Sequence, residues 1–108
     1  MSGAQDDATS SHTYLLKLFV AGGTVLSQQA VGNLRRICDA YLPGQVDLEV
    51  IDIYQQPELA GQHQVVAVPT LLKLRPLPVR RIIGDLSATE RVLRGLDLPP
   101  SRETDRVP

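Results

Sequence analysis

The chain has 108 residues, with eleven basic and twelve acidic side chains and a formal charge of -1. So even a balance provides no global field for nucleic acid or an anionic membrane, which excludes both as expected partners. A domain this small buries a low fraction of its surface, leaving little room for a deep active site, so a binding module is expected rather than an enzyme.

Residues 1–13, MSGAQDDATSSHT, are small and polar, too poor in apolar surface to offset the entropy of ordering, and are expected to form a disordered tail. They hold no basic stretch followed by an apolar one, and no apolar run reaches the roughly 18 residues of a membrane span, so a soluble cytoplasmic protein is expected. Tyr14 to Ala21, YLLKLFVA, is an almost continuous apolar run closed by Gly22-Gly23, the pattern of a central strand buried on both faces. Ala30, Val31, Leu34, Ile37, Cys38 and Tyr41 then recur at helical spacing until Pro43-Gly44, which predicts a helix from about Ser27 to Leu42. Val46 to Ile53 alternates, with Val46, Leu48 and Val50 on one face and Asp47, Glu49 and Ile51 on the other, the pattern of a strand near a sheet edge.

Pro57 suits the first turn of a short helix, PELAGQ, where its missing N–H would be unpaired anyway. Val65 to Leu74 reads as a third strand, Arg75-Pro76-Leu77-Pro78 as a stiff turn, and Val79 to Ile83 as a fourth strand. Ser87-Ala88-Thr89-Glu90 has the spacing of a capping box, opening a last helix through about Gly95 with Val92, Leu93 and Leu96 inward. Residues 99–108, PPSRETDRVP, are expected to be a second disordered tail, so the domain spans residues 14–98.

The order strand, helix, strand, helix, strand, strand, helix is that of a minimal thioredoxin-like α/β domain, βαβαββα. Its first two strands are expected to be parallel and its last two to form a hairpin. Val68-Pro69 falls where that fold commonly places a cis proline, and Gly22 to Ser27 where its redox enzymes carry their cysteines. Cys38 is the only cysteine and lies about three turns into the helix, far from the terminus that would lower its pKa. The fold is thus expected without its dithiol chemistry, and a one-cysteine redox protein is a lesser alternative. His12 and His63 have no second ligand at metal spacing, so neither a metal nor any other cofactor is expected. The basic residues Lys73, Arg75, Arg80, Arg81, Arg91 and Arg94 outnumber Asp85 and Glu90 over residues 73–94. They form either a face complementary to an acidic protein or an ordinary solvated face.

Four segments, YLLKLFVAGGT (Tyr14 to Thr24), EVIDIYQQPELA (Glu49 to Ala60), AVPTLLK (Ala67 to Lys73) and PVRRIIGDLSATERVLRGLDL (Pro78 to Leu98), together resemble the KaiB family of clock proteins. The resemblance implies a hexameric KaiC-type ATPase as partner. It also implies fold switching between a thioredoxin-like binding form and a resting homodimer or homotetramer ordered βαββααβ. The switch would involve Pro69, Pro76, Pro78, Gly84 and Asp85, since prolines can isomerise slowly and glycine loosens the backbone.

Partner contacts would fall at Gln29, Gln64, Lys73, Arg80, Arg81, Asp47 and Glu49. Gln29 and Gln64 stand where the family carries basic residues, and Asp47 and Glu49 where it carries an apolar residue and a lysine. That second strand is where KaiA and a histidine-kinase receptor domain add on in the family, so the reversed charge argues against KaiA as a partner. The sensor domain of the kinase SasA has a similar fold and provides an alternative, a sensory interaction module.

Overall fold

β1 (Tyr14–Val20) is the centre of the fold because its apolar side chains point both ways. The computed structural model describes residues 14–98, and the two expected tails, with His12, lie outside the described residues. The remaining elements are α1 (Val25–Tyr41), β2 (Val46–Asp52), α2 (Pro57–Gln62), β3 (Thr70–Arg75), β4 (Arg80–Ile83) and α3 (Thr89–Gly95). They form one sheet ordered β2-β1-β3-β4, with β2 parallel to β1 and the other neighbours antiparallel. This is the predicted βαβαββα order, with the predicted edge position for β2.

Leu16, Leu18 and Val20 of β1 enter the larger core cluster with Ala30, Leu34 and Ile37 of α1, Ile82 of β4 and Val92 and Leu93 of α3. Phe19 turns the opposite way and packs with Ile51 and Leu72, a smaller cluster roofed by Leu59 and Ala60 of α2. In β2 the predicted alternation holds, with Val46 and Leu48 against the larger cluster and Ile51 buried in the smaller one. Pro57 opens α2 as predicted.

Local chemistry sets the ends of α1. The Thr24 side chain accepts from Ser27 N–H at 3.3 Å, which starts the helix at Val25 rather than at Ser27. Two other sequence expectations are corrected. The strand predicted from Val65 begins only at Thr70, because residues 65–69 connect α2 to the sheet and leave Val66 89% exposed. Nor does the capping box form: Ala88 is the N-cap of α3 and makes no side-chain cap. The Ser87 N–H instead donates to the Asp85 carboxylate at 3.0 Å, and a carboxylate two residues back is the stronger, local acceptor.

Candidate partner-binding surface

The carboxyl end of β1 and β2 is where this fold carries redox cysteines, and here hydroxyl and carboxylate groups order it. Ser27, buried in the first turn of α1, accepts from Ala21 N–H at 3.0 Å. Asp52 at the end of β2 accepts from Gly22 N–H at 3.2 Å and Tyr54 N–H at 2.9 Å, tying the two strand ends together. Gly22 has φ +56 and the Tyr54 ring lies against it, so the position needs a residue without Cβ for its backbone conformation. Around this end Val25, Leu26 and Tyr54 are exposed, and an open cleft of about 270 Å³ runs between Val31 of α1 and Val50 of β2. Among the described residues, no group of three His, Cys, Asp or Glu side chains is arranged to hold a metal.

Cys38 lies buried on the inner side of α1. Burial, reinforced by the neighbouring Asp39, pushes its thiol up to about 11. A thiol held that high is a poor nucleophile at neutral pH, because the thiolate is the attacking species.

Five of the predicted contact residues separate into three places. Gln64 and Arg81 come together: the Arg81 guanidinium donates to the Gln64 carbonyl at 3.1 Å and the His63 carbonyl at 3.0 Å, fastening the end of α2 to β4. Gln29 is exposed on α1, well apart in sequence and on another element. Asp47 and Glu49 lie on β2 at the far edge of the sheet, with Glu49 paired to Lys17 at 2.9 Å.

Lys73 corrects the expectation of an exposed basic face. Its residue is only 1% exposed, and its ammonium meets the Asp97 carboxylate at 2.8 Å and the Pro76 carbonyl at 2.6 Å. A buried ammonium requires such partners, since an unpaired one would be strongly disfavoured. Arg80 takes the same carboxylate with two bonds, at 3.0 and 3.2 Å. The two cations hold the Asp97 carboxyl down to about 2, with the Arg80 hydrogen bond the largest cause. Tyr14 is raised by burial and by the nearby Asp97 charge.

The residues expected to control switching also have defined roles. The Pro69 carbonyl accepts from Gly84 N–H at 3.0 Å, and Gly84 has φ +124, a conformation open in practice to glycine alone. The Asp85 carbonyl accepts from Asn33 at 2.8 Å, which ties the segment before α3 to α1. Hydrogen bonding from Ser87 holds the Asp85 carboxyl below its usual range. The bonds before Pro69, Pro76 and Pro78 are all cis, as expected for Val68-Pro69.

Sequence reasoning missed Asp97, Asn33, Asp52 and Tyr54. Asp97 alone left a signal, as the one acid after Glu90 in a helix end otherwise apolar or basic.

The family described as KaiB domain matches residues 17–98. The chain is 45% identical over 94 residues to circadian clock protein KaiB3 of Synechocystis sp., covering 87% of this chain and 92% of that protein. It is 55% identical over 86 residues to circadian clock oscillator protein KaiB of Synechococcus sp. strain RCC307, covering 80% and 78%. Among solved structures, the N-terminal domain of Synechococcus elongatus SasA superposes with TM-score 0.65 at 26% identity, covering 83% of this chain and 89% of that one. Mitochondrial thioredoxin 3 of Saccharomyces cerevisiae superposes with TM-score 0.63 at 20% identity, covering 86% and 88%, a likeness of fold alone.

Proposed function

The chain belongs to the KaiB family, and we propose that it is a non-enzymatic regulator that binds a hexameric KaiC-type ATPase and modulates its phosphorylation and ATPase cycle. One observation carries this reading: family membership over residues 17–98 coincides with a thioredoxin-like fold whose Gly22–Ser27 loop is ordered by Ser27 and Asp52 rather than by a dithiol. Cys38, buried and raised to about 11, weighs against the one-cysteine redox alternative.

The thioredoxin-like form is the binding form in this proposal, and the resting form has the second half refolded as βαββααβ in a homodimer or homotetramer. The contrast between the halves supports it. α1 has 17 residues and a threonine cap, whereas α2 and α3 have six and seven and no side-chain cap. Helices that short have little stability of their own, so tertiary contacts decide their form. Two packings then need differ by only a few kcal/mol for both to be populated. A partner selecting the rarer one binds with affinity reduced by its population.

The face around Arg81 and Gln64 is the proposed contact with the ATPase, and Gln29 an outlying one. Asp47 and Glu49 are proposed to disfavour KaiA. Native mass spectrometry of the chain mixed with the KaiC-type ATPases of its own genome tests the function. A complex that accumulates over hours is expected, and no complex with any of them would end the proposal.

A further inference from the structure

β4 ends the sheet, so one side of it meets β3 and the other has no strand beside it among the described residues. The register decides which backbone groups face outward. The Gly84 N–H donates to the Pro69 carbonyl at 3.0 Å, and Ile83, Ile82, Arg81 and Arg80 lie opposite Thr70, Leu71, Leu72 and Lys73. Bonded pairs alternate along an antiparallel ladder, so Ile82 and Arg80 bond inward to β3 while the N–H and C=O groups of Arg81 and Ile83 point outward. Among the described residues, no backbone bond outside the ladder reaches either one.

Side chains two apart on a strand share a face. Arg81 and Ile83 therefore stand together, opposite buried Ile82, and the same spacing continues to Val79 just before β4. Val79 is 52% exposed and Ile83 46%, so a row of apolar, cationic and apolar side chains flanks free backbone. Charge on an edge strand usually hinders pairing. Here the Arg81 guanidinium is drawn back onto the His63 and Gln64 carbonyls, at 3.0 and 3.1 Å, and leaves the edge open. Two neutral acceptors fix its position without cancelling its charge, and among the described residues it has no carboxylate partner. Arg80 turns to the other face, where Asp97 takes it.

We infer that the outer edge of β4 is a strand-addition site for an extended acidic segment of another protein, one acid with an apolar residue two positions away on each side. Main-chain bonds to Arg81 and Ile83 hold such a segment, and its alternate side chains select it. Antiparallel addition, the more stable pairing, sets the acid opposite Arg81 and the apolar residues opposite Val79 and Ile83. Opposite charges directly across a sheet attract and like charges repel, which selects acid over base at that position. Exposed Arg75 adds positive charge at the end of the neighbouring strand. The β2 edge offers no such row, because Asp47 and Glu49 would repel the same segment. Nor does β2 of a second copy match the pattern, since its row on that face is Asp47, Glu49 and the core residue Ile51. The site lies within the face proposed to meet the ATPase but is tested without it, so the two proposals fail separately.

Amide NMR of the full chain, titrated with the peptide acetyl-Thr-Val-Thr-Glu-Thr-Val-Thr-amide, tests this. Saturable binding is expected, with deuterium exchange of the Arg81 and Ile83 amides slowed several-fold and that of the β2 amides unchanged. A peptide with lysine in place of the glutamate should bind more weakly by about fivefold or more. One N-methylated at the glutamate loses the N–H that meets the Arg81 carbonyl and should not bind. Arg81→Glu should reverse the preference between the glutamate and lysine peptides. Circular dichroism checks that this variant is folded, and the peptide series on the wild type decides the matter if it is not. No binding to the wild type, equal binding of the glutamate and lysine peptides, or an unchanged preference in folded Arg81→Glu would each overturn the inference. So would Arg81 and Ile83 amides that are protected before the peptide is added and unchanged by it, the mark of an edge already filled by a second copy.

Discussion

Lys73 of β3 and Asp97, just beyond α3, are joined by an ion pair of 2.8 Å in which the lysine side chain is wholly buried and the aspartate is not. The asymmetry predicts unequal consequences. Asp97→Asn leaves a buried ammonium without its counter-charge, which is far costlier than an apolar replacement of the ammonium itself. Lys73→Met fills the same space and leaves Asp97 with Arg80 at a solvated site. Urea unfolding is expected to give a much lower midpoint for Asp97→Asn than for Lys73→Met. Equal midpoints, or the reverse order, would contradict the pairing.

The same carboxylate shapes the acid limb of stability. Asp97 titrates at about 2 in the folded chain, against roughly 3.9 for an aspartate in an unfolded one. A depressed pKa means the unfolded state binds the proton first, so the contribution is full above about pH 4 and disappears as pH falls towards 2. Thermal melts across that window should show a steep loss in the wild type and a shallower one in Asp97→Asn. Parallel curves would remove Asp97 as the cause.

Much of this framework is legible from residue patterns, and what is missed has a common physical origin. The two-faced apolar run of β1, the helical spacing of α1, Pro57 at the start of α2 and the alternation in β2 are local signals, each readable within a few residues. Lys73 is different. A lysine in the run TLLKLR looks like a solvated charge, and nothing near it in sequence reveals that Asp97 has come to meet it. The false capping box failed through competition, because Ser87 has both a helix start ahead of it and the Asp85 carboxylate behind it, and the carboxylate takes its N–H. The late start of β3 is of the same kind: residues 65–69 have strand composition, but they span the gap from α2 to the sheet. Local pattern thus reports the elements, and long-range charge pairing reports how the second half is fastened.

Ser27 carries a prediction at the place where redox relatives of this fold hold a cysteine. Its buried hydroxyl is the acceptor for Ala21 N–H. Ser27→Ala leaves that N–H unpaired in a buried place, at a cost of about 1–3 kcal/mol. The Ala21 amide should exchange with deuterium markedly faster in the variant, while amides of β3 change less. An unchanged Ala21 rate would show that the hydrogen bond contributes nothing.

Cys38 should be inert. A thiol moved from 9.0 to about 11 has roughly 100-fold less thiolate at neutral pH, and the thiolate is the species that reacts. Native alkylation by iodoacetamide is expected to be slower by at least that factor than in urea. The raised value also means that its stabilising contribution is present below about pH 9 and lost as pH rises through 11. Rapid native alkylation would reopen the one-cysteine redox reading.

Gly84 links the fold to the proposed switching. Its φ of +124 lies in a region that side chains avoid, and a Cβ there would meet nothing within 4 Å. The whole cost of Gly84→Ala is therefore backbone strain, about 1–3 kcal/mol against the thioredoxin-like form. If that form is the one that binds a KaiC-type ATPase, the variant lowers its population, and apparent affinity falls by roughly 5- to 150-fold. Titration of the ATPase with wild type and Gly84→Ala, alongside amide NMR over residues 65–95, measures both quantities. A variant that loses the extended shifts of β3 and β4 yet binds as tightly as the wild type would separate binding from this fold.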